Sequence, residues 1–134
     1  MAFSFRKLVG EATAQIESLS PKAAFDEKSS GKAVFLDVRE PMEWEEHIEG
    51  ALQVPRGLLE AVGDPECGPH LPPSLQVGLK PTLRVIVYCN SGARATLSTL
   101  TLKTMGFENV ANLQGGLKAW KEAGLPTVHD HAGI

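Results

Sequence analysis

Short, continuous apolar runs alternate along this chain with stretches whose apolar residues recur at helical spacing. That alternation predicts an α/β fold built on a largely parallel sheet. Ala33 to Val38 reads as a strand buried on both faces, because its apolar residues are continuous rather than alternating. Arg84 to Tyr88 is the most strand-like segment, with Leu52 to Val54 and Asn109 to Leu113 as further strands. The first clear helix start is Ser20-Pro21, a capping serine followed by proline at the first helical position, and this helix should stop by Ser29-Ser30-Gly31. Pro41 to His47 reads as a short acidic helix, and Gly57 to Val62 as a further helical turn or two. A longer helix follows Arg94, with Ala95, Leu97, Leu100, Leu102 and Met105 as its core-facing positions and Gly106 at its end. Leu117 to Glu122, closed by Gly124 and Pro126, is the last helix, and His129 to Ile134 reads as a frayed tail. Gly63 to Pro81 holds five prolines and three glycines in 19 residues, the composition of a surface loop, with a helical turn around Leu75.

A length of 134 residues suits one domain, and 43% hydrophobic with 22% charged residues excludes wholesale disorder. The net charge is −3 and the 13 Lys and Arg residues are scattered, so no basic stripe marks a nucleic-acid partner. No run approaches the roughly 18 apolar residues that span a bilayer, and Met1 to Gly10 lacks the apolar core of a signal peptide. Cys67 lies in the Pro/Gly-rich stretch and Cys89 at the end of an apolar run, which is not a secreted disulfide framework. The expectation is a cytoplasmic protein with no membrane partner.

The candidate chemistry lies where the strongest strand ends. Ligands of open parallel sheets bind outside the carboxyl ends of the strands, and Cys89 leaves Arg84 to Tyr88 at that end. An isolated cysteine there is most often a small buried apolar residue. Here a loop glycine, Arg94 and a helix start follow at once. Loop amides, the helix N-terminus and the arginine charge all favour thiolate over thiol. Such a thiolate can attack a sulfane sulfur and carry it as a persulfide, or attack phosphorus. A phosphoryl group needs a wider cradle for its equatorial oxygens. The four residues between Cys89 and Arg94 make a tight ring better suited to one extra sulfur atom.

Cys89-Asn90-Ser91-Gly92-Ala93-Arg94 resembles the active-site loop of the rhodanese (sulfurtransferase) family; cysteine phosphatases carry one residue more between Cys and Arg. Two further segments carry the resemblance. Leu36-Asp37-Val38-Arg39-Glu40 with Glu43-Trp44 and His47-Ile48-Glu49-Gly50-Ala51 is similar to the family's DVRE…E[FY]…GHIxGA signature. Asn112-Leu113-Gln114-Gly115-Gly116-Leu117, then Trp120 and Gly124-Leu125-Pro126, is similar to its closing L-x-GG…W…G-x-P segment.

The resemblance implies a rhodanese domain over residues 15–127, after an N-terminal extension (1–14) and before a flexible tail (128–134). Its fold would be a central, mostly parallel five-stranded sheet with helices on both faces. Cys89 would form the persulfide, the amides of Asn90, Ser91, Gly92, Ala93 and Arg94 would cradle it, and Arg94 would anchor the loop and offset charge. The implied reaction takes sulfur from a small donor, thiosulfate or a persulfide, to cyanide or a thiol, with a protein sulfur acceptor as a further partner and no cofactor or metal. The alternative is a docking or sulfur-carrier module with little turnover. A phosphatase or arsenate reductase is a third reading that the loop length disfavours. Two positions depart from the family pattern: Asn90 is neutral where many members carry Arg or Lys, and Glu46 stands where Gly usually precedes the histidine. A less cationic rim should weaken capture of thiosulfate.

Asp37 and Arg39 are possible supporting residues at the sheet edge, although capping and pairing is the plainer role for both. His47 reads as fixing a turn, and Trp44, Phe107 and Trp120 as packing residues. Cys67 is a resolving thiol only if its loop reaches Cys89. His70, His129 and His131 are too sparse for a metal site.

Overall fold

The apolar runs become the middle of a sheet, and everything else is arranged to cover it. The computed structural model describes residues 2–129. In chain order its elements are α1 (Phe5–Thr13), β1 (Glu17–Leu19), α2 (Pro21–Ser29), β2 (Val34–Asp37), β3 (Glu46–His47), β4 (Leu52–Gln53), α3 (Leu59–Gly63), β5 (Val85–Tyr88), α4 (Ala93–Thr104), β6 (Val110–Leu113), α5 (Gly116–Glu122) and β7 (Val128–His129). Single 3₁₀ turns lie at Pro41–Glu43, Arg56–Leu58, Gly68–His70 and Pro73–Leu75. Five strands form one sheet in the order β1-β6-β5-β2-β4, with every pairing parallel. The short β3 and β7 pair separately and antiparallel.

Strands β5 and β6 are buried at every position; β5 is a continuous apolar run, whereas β6 carries the buried Asn112 among its apolar residues. Because side chains alternate, Val85, Val87 and Cys89 face one layer while Ile86 and Tyr88 face the other. The first layer is packed by Leu59 and Val62 of α3 and Ala95 and Leu102 of α4, with α1 packed on α4. The second holds Ala24 of α2, Leu117 and Trp120 of α5, and Phe35, whose ring meets those of Tyr88 and Trp120 edge to face. Each fully buried Leu, Val or Phe among them contributes about 1.5–3 kcal/mol, so helices cover both faces of the sheet because neither face can be left open. Among the described residues no helix is long and apolar enough to cross a membrane.

Several local expectations are revised. Pro41 to His47 is not one helix. Glu40 and Glu43 form a reciprocal capping box that closes a single 3₁₀ turn, and the chain then straightens into β3. On α4 the buried face is Ala95, Thr96, Ser98, Thr99 and Leu102, whereas Leu97 and Leu100 are only half-buried. The hydroxyls are satisfied locally: Ser98 donates to the Arg94 carbonyl at 2.7 Å and Thr99 to that of Ala95 at 2.8 Å. Within the N-terminal extension α1 is capped by Ser4, whose Oγ accepts from the Lys7 amide at 3.0 Å. The first two residues of the expected tail, Val128 and His129, form β7; residues 130–134, with His131, lie outside the described residues.

Candidate active site

Cys89 follows β5 and is almost wholly buried, with 1% of its surface exposed. Gly92, with φ of 113°, turns the chain and serves as N-cap of α4. A glycine cap has no side chain to satisfy the orphan amides of a first helical turn. The cysteine sulfur does so instead: the backbone N–H groups of Gly92 and Ala95 donate to Cys89 Sγ at 3.1 and 3.3 Å. The sulfur therefore occupies the position of an N-cap acceptor, where the helix favours negative charge. Ala95, one of the two amide donors, lies just beyond the loop marked out by the sequence.

The peptide carbonyls of the same loop cap a second helix. Leu117 and Lys118, in the first turn of α5, donate their amides to the carbonyls of Cys89 and Asn90 at 2.9 and 3.0 Å. This contact accounts for the paired glycines of the closing motif. A Cβ on Gly116 would sit 2.6 Å from both carbonyl oxygens, and Gly116 has φ of 65°. One on Gly92 would lie 3.5 Å from the Gly115 nitrogen, so the two turns are packed backbone to backbone. Cys89 thus caps α4 through its sulfur and α5 through its carbonyl.

Arg94 does not turn its guanidinium to a free anion site. Its Nη1 and Nη2 donate to Glu43 Oε1 and Oε2 at 2.8 and 3.0 Å, a bidentate pair bridging α4 and the Pro41–Glu43 turn. Glu43 Oε1 also accepts the Glu40 amide at 2.9 Å. The Arg94 guanidinium, followed by that amide, pushes the Glu43 carboxyl down to about 2. The sequence places Glu43 in an acidic turn and in the family signature but names no partner for it; that partner, Arg94, lies on a separate element.

Asp37 and Arg39 form a second such pair, but a buried one, with side chains 0% and 4% exposed. Arg39 Nη2 meets Asp37 Oδ2 at 2.8 Å and the Glu46 carbonyl at 2.6 Å, while the Arg39 backbone N–H donates to Asp37 Oδ1 at 2.9 Å. This pair ties the end of β2 to β3. Tyr88 donor–acceptor geometry adds to it: the Ile48 amide donates to the Tyr88 hydroxyl at 3.1 Å, and burial, then the Asp37 charge, raises the phenol above its usual range. His47 Nδ1 lies 3.0 Å from the Trp44 carbonyl, a turn-fixing contact. Asn90 and Ser91 are exposed at the rim, and Asn90 lines a polar cleft of about 330 Å³ together with Arg39, Glu43, Glu46, Lys121 and His129. Cys67 is elsewhere engaged: its thiol donates to Asp64 Oδ2 at 3.4 Å, and that bond raises it above the ordinary thiol range. Among the described residues no three His, Cys, Asp or Glu side chains converge as metal ligands would.

Residues 20–123 match the family described as the rhodanese-like domain. A sulfurtransferase of Allochromatium vinosum is 34% identical over 113 residues, covering 84% of this chain and 90% of that protein. Other curated relatives are longer, and the chain spans 55% of one and 26% of another. Among solved structures, a Rhodopseudomonas palustris protein of unknown function, called a possible tyrosine phosphatase, is 32% identical with a TM-score of 0.78 over 94% of this chain and 95% of that one. The polysulfide-sulfur transferase homodimer of Wolinella succinogenes is also 32% identical, with a TM-score of 0.71 over 97% of this chain and 91% of that one.

Proposed function

Since this chain belongs to the rhodanese-like domain family, we propose that it transfers sulfane sulfur through a persulfide on Cys89. The observation that carries this reading is the double cap: a cysteine sulfur at a helix start with two backbone amides aimed at it. Those amides lie where a sulfur nucleophile and the charge it carries in the reaction would accept hydrogen bonds. The names of the Allochromatium and Wolinella proteins add weight on the side of sulfur chemistry. Loop length favours sulfur over phosphorus.

The steps balance without a cofactor. The Cys89 thiolate attacks the outer sulfur of the donor, forming a new S–S bond while the donor's own S–S bond breaks and its remainder leaves with the electron pair, as sulfite from thiosulfate or as a thiolate from a persulfide. The acceptor then attacks the terminal sulfur: cyanide forms a C–S bond, or a thiolate a new S–S bond, and the Cys89 thiolate leaves. In the sulfurated state the amides of the 90–94 loop and of Ala95 hold the terminal sulfur, and Arg94, fixed by Glu43, anchors the helix start.

Donor preference follows from the rim. Asn90 is neutral, Arg94 is already paired, and Glu43 and Glu46 line the adjoining cleft. A dianion is poorly matched to that surface, so a persulfide is the better donor than thiosulfate. A thiosulfate KM in the low-millimolar range or below would contradict this preference.

The deciding experiment is intact mass before and after incubation with thiosulfate or glutathione persulfide. A gain of about 32 Da, one sulfur, in the wild type but not in Cys89→Ser, and its release by cyanide, is the expected result. No gain with either donor would leave a docking module as the better reading. Cleavage of an aryl phosphate instead would point to phosphoryl transfer.

A further inference from the structure

Five large apolar side chains are left exposed among the described residues, and they fall in two places. Phe3, Phe5 and Leu8 belong to the start of α1, whereas Met42 and Leu58 lie in the Pro41–Glu43 and Arg56–Leu58 turns. On α1, Phe5, Leu8, Val9 and Ala12 recur at helical spacing and form one face. The far end of that face is used, since Ala12 is buried and Val9 half-buried in a helix that packs on α4. The near end is not used, because Phe5 and Leu8 stay exposed, as does Phe3 just before the helix. Between them lie Arg6 and Lys7 and no acidic residue. Lys7 Nζ sits 4.9 Å from the centre of the Phe3 ring, so charge and apolar surface share one patch.

The second place carries the opposite charge. Pro41, Trp44, Pro55, Leu58 and Leu75 line a mainly apolar groove of about 730 Å³. Residues 40–49, which supply Pro41 and Trp44, hold five glutamates and no lysine or arginine. Glu43 is engaged by Arg94, and Glu46 accepts from Lys121 Nζ at 2.6 Å. Glu40, Glu45 and Glu49 are exposed, and Met42, next to Pro41, is 90% exposed.

An aromatic, positively charged helix start matches an apolar groove edged by glutamates, and one chain carries both. An anionic bilayer would suit α1 alone. It would leave Met42 and Leu58 uncovered, and the net charge of −3 opposes it. We propose that the protein forms a reciprocal dimer: Phe5 and Leu8 of each copy enter the groove beside Pro41 and Leu58 of the other, with Arg6 and Lys7 facing the glutamates of residues 40–49. Such an interface is self-complementary, so two copies close on each other and cover both patches at once. The Pro41–Glu43 turn also holds Arg94, so the second copy's α1 comes to lie at the edge of the candidate active site. The dimer itself requires nothing of the Cys89 chemistry.

The test is sedimentation velocity on the full chain over a range of concentrations, at low and high salt. A species of twice the chain's mass is expected, and salt should weaken it. Phe5→Ser and Leu8→Ser, both at positions exposed in the single chain, should each weaken it about tenfold or more. Two charge-reversed proteins decide the pairing. Arg6→Glu/Lys7→Glu and Glu45→Lys/Glu49→Lys should each be monomeric alone, because like charges then meet at both contacts. Mixed, they should associate, because the reversed helix of one meets the reversed glutamates of the other and the untouched patches meet as before. A wild type that stays monomeric overturns the dimer. A dimer unaffected by these variants, or folded variants that fail to associate on mixing, overturns the pairing of α1 with the groove. Wild-type monomer that sediments with phosphatidylglycerol vesicles but not phosphatidylcholine vesicles, and no longer does so as Phe5→Ser, would overturn it in favour of a membrane surface.

Discussion

The molecule places its two cysteines in opposite hydrogen-bonding surroundings. Cys89 sits at the end of β5 and receives hydrogen bonds from the amides of Gly92 and Ala95. Cys67, in the Pro/Gly-rich stretch between α3 and β5, gives one to the Asp64 carboxylate. Donors around a sulfur favour its anion, whereas a neighbouring carboxylate favours the proton. The comparison teaches that a thiol's role follows from whether the backbone around it offers N–H groups or negative charge. Solvent access points the other way, since the half-buried Cys67 is the more accessible of the two.

The substitution with the largest expected effect is Cys89→Ser. It should abolish sulfur uptake, read by intact mass, and any uptake retained on Cys67 would break the contrast outright. Gly116→Ala comes next. A methyl 2.6 Å from the Cys89 and Asn90 carbonyls, at positive φ, forces α5 away from the loop. A loss of about 3 kcal/mol in denaturant unfolding is expected, with uptake falling at least in proportion. Removing one partner of the buried Asp37–Arg39 pair, as in Asp37→Asn, should destabilise by a similar amount, because an unpaired guanidinium remains buried.

Glu43→Gln sharpens the comparison more gently. Arg94 loses its charged partner, and uptake from thiosulfate should improve relative to a persulfide by about threefold as the rim becomes less acidic. The pH dependence of this pair has a definite sign. A carboxyl pushed down to about 2 in the folded state contributes stability that is full above about 4.5 and is lost as pH falls toward 2. A carbon-detected NMR titration of Glu43 with a midpoint near 4.5 would remove the clasp. Last is Asp64→Asn, which should raise the alkylation rate of Cys67 at pH 8 by about twofold and leave sulfur uptake unchanged.

The candidate site was legible in the sequence where it is contiguous. Cys89 to Arg94 and the strand before it are read directly, because a buried strand, a glycine and a helix start follow one another in the chain. The double glycine was recognised as a motif, but its reason, a backbone packed on the Cys89 carbonyl, is visible only in three dimensions. The partners of Glu43 and Glu46 escaped because a charged residue in an acidic turn looks the same whether it faces water or a distant arginine or lysine. The two-residue β3 and β7 carry no periodicity at all. α1 is different: Ser4 followed by Phe5, Leu8, Val9 and Ala12 is a helical pattern that could have been read. β1 is exposed at two of its three residues and sits at the sheet edge, so it lacks the apolar signature of its neighbours.

The cap that α5 places on the Cys89 carbonyl also sets an order of events during synthesis. A ribosome releases the cysteine loop well before Gly115, Gly116 and the amides of Leu117 and Lys118 that lock it. A domain folds as a unit, so the loop takes its native form only once that later segment is available. The amides that face the sulfur come from Gly92 and Ala95, but the carbonyl side of the same loop is closed only when α5 docks. Completion of the candidate site is therefore tied to a helix translated after the cysteine itself.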